Sequence, residues 1–170
     1  HVMAQAGFRK NEIAVKSHAK DPWGKHKPSR ASVCWHLKGA DRPAAELSQE
    51  QWRNLRPGDV AIITPPPSKC DQFGEVWSAK PIYLTFSGAR ICAARALRDL
   101  ELAQPCSGAA RVHTPLFQNE ETGGCFTYAE LNTLLDNMLA AVLPDPALAG
   151  HYSWHSFRIG LPPSWMTCLA

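Results

Sequence analysis

A chain of 170 residues with 45% apolar and 19% charged residues is long enough to bury one sizeable core and too apolar to remain disordered. No apolar run approaches the ~18 residues that a membrane-spanning helix needs, and no basic start is followed by an apolar stretch and a cleavage site. The net charge of +3 is uneven: residues 1–38 hold eight Lys/Arg against two acids, a balance of +6, whereas the other 132 residues hold ten against thirteen, a balance of −3.

The first predicted element is a helix over residues 1–16, ending near Val15, with Val2, Ala6 and Ile13 apolar. Because the sequence opens in the middle of this helix, it is expected to be a piece of a longer chain. Residues 17–31 read as a loop. Ser32 to Leu37 alternates like a strand, and Leu47 to Leu55 holds a short helical turn capped by Ser48. Asp59 to Thr64 and Pro81 to Phe86 are the next strands, joined by the turn-rich segment Ser68-Lys69-Cys70-Asp71-Gln72-Phe73-Gly74. Ile91 to Ala103 is a helix in which Ala93, Ala94, Leu97, Leu100 and Glu101 are spaced for one packed and one exposed face. Phe126 to Leu143 is the longest helix, with Thr127 and Glu130 as capping box and Leu131, Leu134, Leu135, Met138, Leu139 and Val142 as core stripe. Pro144-Asp145-Pro146 ends it, and a last helix begins with Ser153 as N-cap. Fourteen prolines fit the many loops. The order is that of a single α+β domain, with helices packed around a small antiparallel three-stranded sheet.

Six cysteines are scattered without a C-x-x-C pair, which points to reduced thiols rather than a disulfide framework or a zinc site. His151 and His155 stand four apart, but no carboxylate motif accompanies them and no metal site is expected. The basic first third suits a polyanion, so Lys10, Lys25, Lys27 and Arg30 are expected to face DNA phosphates. Two guanidiniums, Arg9 and Arg158, with Lys69 and His155, form a plausible clamp for one phosphodiester, since a guanidinium matches phosphate oxygens bidentately. Glu12, three residues after Arg9, lies on the same helix face and can buttress it. His155 and Arg158 share the first turn of the last helix, where the dipole favours an anion.

The order Gly7-Phe8-Arg9-x-x-Glu12, then a lysine between two strands, then His155-Ser156-Phe157-Arg158-Ile159-Gly160 at a helix start resembles the catalytic domain of the tyrosine recombinases, the phage-integrase family. The wording of the last box is similar to mobile-element and eukaryotic members. The resemblance implies a recombinase-like fold, DNA strand breaking and rejoining through a 3′-phosphotyrosyl intermediate, no metal or nucleotide cofactor, and self-association on DNA in the intact protein. It implies that Arg9 and Arg158 stabilise the nonbridging oxygens, that Lys69 protonates the departing 5′ oxygen with Lys80 as competing candidate, and that His155 handles protons while Glu12 supports its box. The location implied is intracellular, nuclear in a eukaryote and otherwise cytoplasmic.

The chain departs from that pattern after Arg158. Pro162-Pro163 interrupts the helix at once, because an interior proline costs ~3 kcal/mol, and no tyrosine follows Tyr152, which precedes the box and reads as structural. The expectation is therefore a partial, inactive catalytic domain that lacks the DNA-clamping N-terminal domain and the tyrosine segment. The alternatives are a non-catalytic DNA-binding or partner-binding remnant and an unrelated α+β structural module.

Overall fold

The computed structural model describes residues 6–19, 23–24, 26–67, 73, 75, 80–87, 89 and 91–159, with the side chains of 157–159 excluded. The expected helix over 1–16 does not run through. Gly7 adopts φ 67°, a left-handed angle that glycine takes without steric cost, and the chain turns there. Phe8 is thereby buried against Phe117, edge-on at 5.5 Å between ring centroids, and Arg9 becomes the N-cap of a single-turn helix, α1 (Lys10–Ile13). The next two residues form a short strand, β1 (Ala14–Val15), fully buried.

The main sheet has four antiparallel strands rather than the expected three, in the order β3-β2-β4-β5: β2 (Val33–Leu37), β3 (Ala40–Pro43), β4 (Val60–Ile63) and β5 (Ile82–Thr85). The additional strand, β3, is exposed at every position and carries no apolar alternation. Its pairing comes from the turn instead: Lys38 and Gly39 both take positive φ, 50° and 84°, the two-residue hairpin geometry that matches strand twist. Leu37 then faces Ala40 and Cys34 faces Pro43. Asp41, Arg42 and Pro43 on this outer strand discourage further edge pairing.

Central β4 is buried at Ala61, Ile62 and Ile63, whereas β5 alternates around buried Leu84. One face packs on α2 (Gln49–Arg53), where Trp52 meets Trp35 edge-on at 5.6 Å. Ser48 caps α2, accepting from the Gln51 N–H while Gln51 answers to the Ser48 N–H. Helix α3 (Ala93–Ala103) adds Ala93, Ala94 and Leu97 to the same core.

Glu101 on α3 is buried as well, and so is Arg111, which reaches it with two hydrogen bonds of 2.6 and 2.9 Å. Arg30 completes this cluster. Expected at a DNA-facing surface, it is only 1% exposed, and its guanidinium donates to the carbonyls of Leu100 and Gln104 at the end of α3. A cation there adds a donor at the last carbonyls of the helix, where Leu100 also accepts from the Gln104 N–H, and complements the helix dipole. That role removes Arg30 from the candidate DNA contacts.

A second, two-stranded parallel pair joins β1 to β6 (Phe126–Thr127), with Ala14 opposite Phe126. Strand β6 runs directly into α4 (Tyr128–Val142), whose Thr127/Glu130 capping box is present as expected. Only Leu131, Leu135 and Leu139 of its apolar stripe are buried; Leu134, Met138 and Val142 are exposed. Last comes α5 (Trp154–Ile159), and among the described residues no helix is long and apolar enough to cross a membrane.

Candidate functional site

Two short strands and one indole bring three sequence-distant segments together. Because α1 leads into β1 and β6 leads into α4, the parallel β1–β6 pair lays α1 beside the first turns of α4. Lys10 fixes that contact: its Nζ donates to Asn132 Oδ1 at 2.7 Å and sits 4.6 Å above the Tyr128 ring. Helix α5 is held from the other side, where Trp154 Nε1 donates to the Leu131 carbonyl at 3.1 Å. The start of α5 has its own clasp, Ser153 N–H to Ser156 Oγ at 3.0 Å.

Between these three walls lies a groove of about 660 Å³. Buried Phe8 and Leu135 contribute apolar lining, while Arg9, Lys10 and His155 contribute its cations or proton carriers. Asn132 and Asp136 line it from α4, and Tyr152 and Ser153 line it from the turn before α5. Arg9 and His155, 146 positions apart in the chain, thus share one concavity.

Arg9 is held through its backbone more than through its side chain. Its N–H donates to Glu12 Oε2 at 2.6 Å, while the guanidinium stands 4.0 Å from the other Glu12 oxygen. The Arg9 side chain remains 53% exposed, so an exposed ion pair of this kind contributes little to stability and leaves the guanidinium able to meet a ligand. Glu12 thus fixes the N-terminus of α1 on which Arg9 stands.

The remaining expected site residues fall in different places. Lys10 lines the groove but is also committed to α4. Lys27 bends back to donate to the Asn11 carbonyl at 3.0 Å, next to α1 and away from the groove lining. Lys25, Lys69 and the Arg158 side chain lie outside the described residues, as do Asp71 and Gly74 of the expected lysine turn. Lys80, the competing lysine, is exposed just ahead of β5. Among the described residues no three His, Cys, Asp or Glu side chains gather as a metal-ligand set.

The sequence reading missed three groove residues. Tyr152 was expected to be structural, yet it is 47% exposed and lines the groove. Asn132 and Asp136 stand four apart on the polar side of α4, a spacing that puts both on one face. The available signal was that pair together with a lysine in the Arg9 box.

The Cys92 thiol lies elsewhere, capping α3. Burial would push it up, but the N–H groups of Ser87 and Arg95 aimed at its sulfur outweigh this and hold it below the ordinary thiol range. No family model, curated protein or solved structure matches this chain.

Proposed function

We propose that this chain is the phosphodiester-holding part of a tyrosine-recombinase-type catalytic domain, with DNA as its partner. The observation that carries the reading is the shared groove: Arg9 from the first box and His155 from the second line one concavity, joined by Lys10. The order of the elements supports it too, since an antiparallel sheet separates the two boxes.

In this reading Arg9 and Arg158 neutralise the nonbridging oxygens of the scissile phosphate as negative charge builds on them. His155 moves a proton at the reacting oxygens, and Lys69 protonates the departing 5′ oxygen. The bond energy passes into a phosphotyrosyl ester, so the reaction needs neither metal nor nucleotide cofactor. In an intact enzyme the loss of one such preorganised donor costs roughly 3–4 kcal/mol of barrier.

The three tyrosines of this sequence do not match the family's nucleophile position. Tyr83 belongs to β5, Tyr128 begins α4 beneath Lys10, and Tyr152 precedes α5. These 170 residues by themselves are therefore expected to bind DNA without cutting it. The test incubates the chain with a nicked suicide duplex and analyses it by denaturing gel and mass spectrometry. No covalent adduct is expected; a phosphotyrosyl adduct abolished by a single Tyr→Phe substitution would overturn the inactivity.

One observation favours a second reading, a non-catalytic partner-binding module. Leu134, Met138 and Val142 leave an apolar strip of α4 exposed. That reading gains if the chain fails to bind DNA at low salt.

A further inference from the structure

Tyr152 lines the groove that Arg9 and His155 share. It stands at the end of the turn Pro146–His151, where its N–H donates to the Ala149 carbonyl at 3.0 Å. The following residue is clasped to Ser156, so the ring is presented from a held backbone. Three aromatic side chains line the groove. Phe8 is buried against Phe117 and Trp154 donates to α4, whereas Tyr152 remains 47% exposed.

We infer that Tyr152 is a base-stacking residue, and that the groove takes a nucleotide of an unpaired DNA strand with its phosphate on Arg9 and His155. The inference rests on the DNA reading above and narrows its substrate class. Three arguments carry it. A groove of about 660 Å³ is of small-ligand size and exceeds what a phosphate group would fill. Cationic side chains beside an exposed aromatic ring are the combination that tracks a single strand, because every unpaired base offers a π-face and a paired base within a duplex does not. On the α4 wall, Asp136 repels a second phosphate there, and its oxygens can accept from a base N–H such as thymine N3–H.

The experiment measures fluorescence-anisotropy binding of two labelled probes, a short oligothymidylate and a closed duplex hairpin without unpaired ends, across a salt series. Tyr152→Ala is expected to weaken oligothymidylate binding about 5- to 10-fold, the scale of one lost base–aromatic stack, and to leave duplex binding unchanged. Tyr152→Phe should bind like the parent chain, because stacking needs the ring and not the hydroxyl. The salt slope should stay constant in Tyr152→Ala and fall by about 0.7 in Arg9→Ala on the single strand, since only the second substitution removes a phosphate contact. An equal effect of Tyr152→Ala on both probes, no effect on either, or a Tyr152→Phe variant as weak as Tyr152→Ala would overturn the stacking role while leaving the DNA reading standing. A parent chain that binds neither probe at low salt would overturn both.

Discussion

Arg111 and Glu101 face each other inside the protein, 3% and 8% exposed, and Arg111 Nη2 also donates to the Arg30 carbonyl at 3.1 Å. Removing one member leaves a buried charge without its counterion, so Arg111→Ala is expected to cost about 3–5 kcal/mol, read from urea unfolding monitored by tryptophan fluorescence. Arg111→Lys should restore only part of this, because an ammonium cannot repeat the two-pronged contact. Arg30 belongs to the same cluster and leads to a separable expectation. Its replacement by alanine should lower stability and leave the salt slope of DNA binding unaltered, whereas replacing Arg9 should lower the slope with little loss of stability. In the sequence both read as phosphate-facing cations, Arg9 through its motif and Arg30 through the basic first third. Arg30 is fixed by carbonyls 70 and 74 positions away, and no local pattern announces such a partner.

Helix α4 shows how much a pattern alone can decide. Its N-terminus was legible, because Thr127 and Glu130 form their box from local spacing: the Glu130 N–H donates to Thr127 Oγ1 at 3.2 Å. The Thr127 backbone N–H, followed by its hydroxyl and the Asn119 amide, holds the Glu130 carboxyl below the usual carboxylate range. A carboxyl with a depressed folded-state pKa stabilises the protein above its unfolded pKa, and this is lost as pH falls through the folded value. Glu130→Gln should therefore flatten the acid limb of a stability-versus-pH curve measured by thermal melting, and Thr127→Ala should cost about 1 kcal/mol at neutral pH. The apolar stripe was too wide a reading, since burial follows only the i, i+4 ridge Leu131, Leu135 and Leu139. Leu135→Ala is expected to cost about 2–5 kcal/mol in urea unfolding, and Leu134→Ala far less. Strand β3 and the break at Gly7 escaped the reading for a related reason. Both are set by positive-φ turns rather than by hydrophobic period.

At the scale of the whole molecule, convergence depends on contacts between segments far apart in sequence. The β1–β6 pair, the Lys10–Asn132 hydrogen bond and the Trp154–Leu131 hydrogen bond together set α1, α4 and α5 around one groove. Arg9 and His155 could each be singled out in the sequence, but the groove they share depends on the parallel pairing of two-residue strands that no periodicity marks. If this surface meets DNA, affinity should fall steeply with salt, with little dependence on duplex sequence. If Arg9 and His155 hold the same phosphate, their contributions to DNA binding are coupled, and a double-mutant cycle reads that coupling. Arg9→Ala, His155→Ala and the double variant are compared with the parent chain by anisotropy at one low salt concentration. Each single substitution should weaken binding, and the double variant should lose less than the two separate losses combined, with a coupling above about 0.5 kcal/mol. Losses that add within that margin, or single variants that bind like the parent, would contradict the shared site.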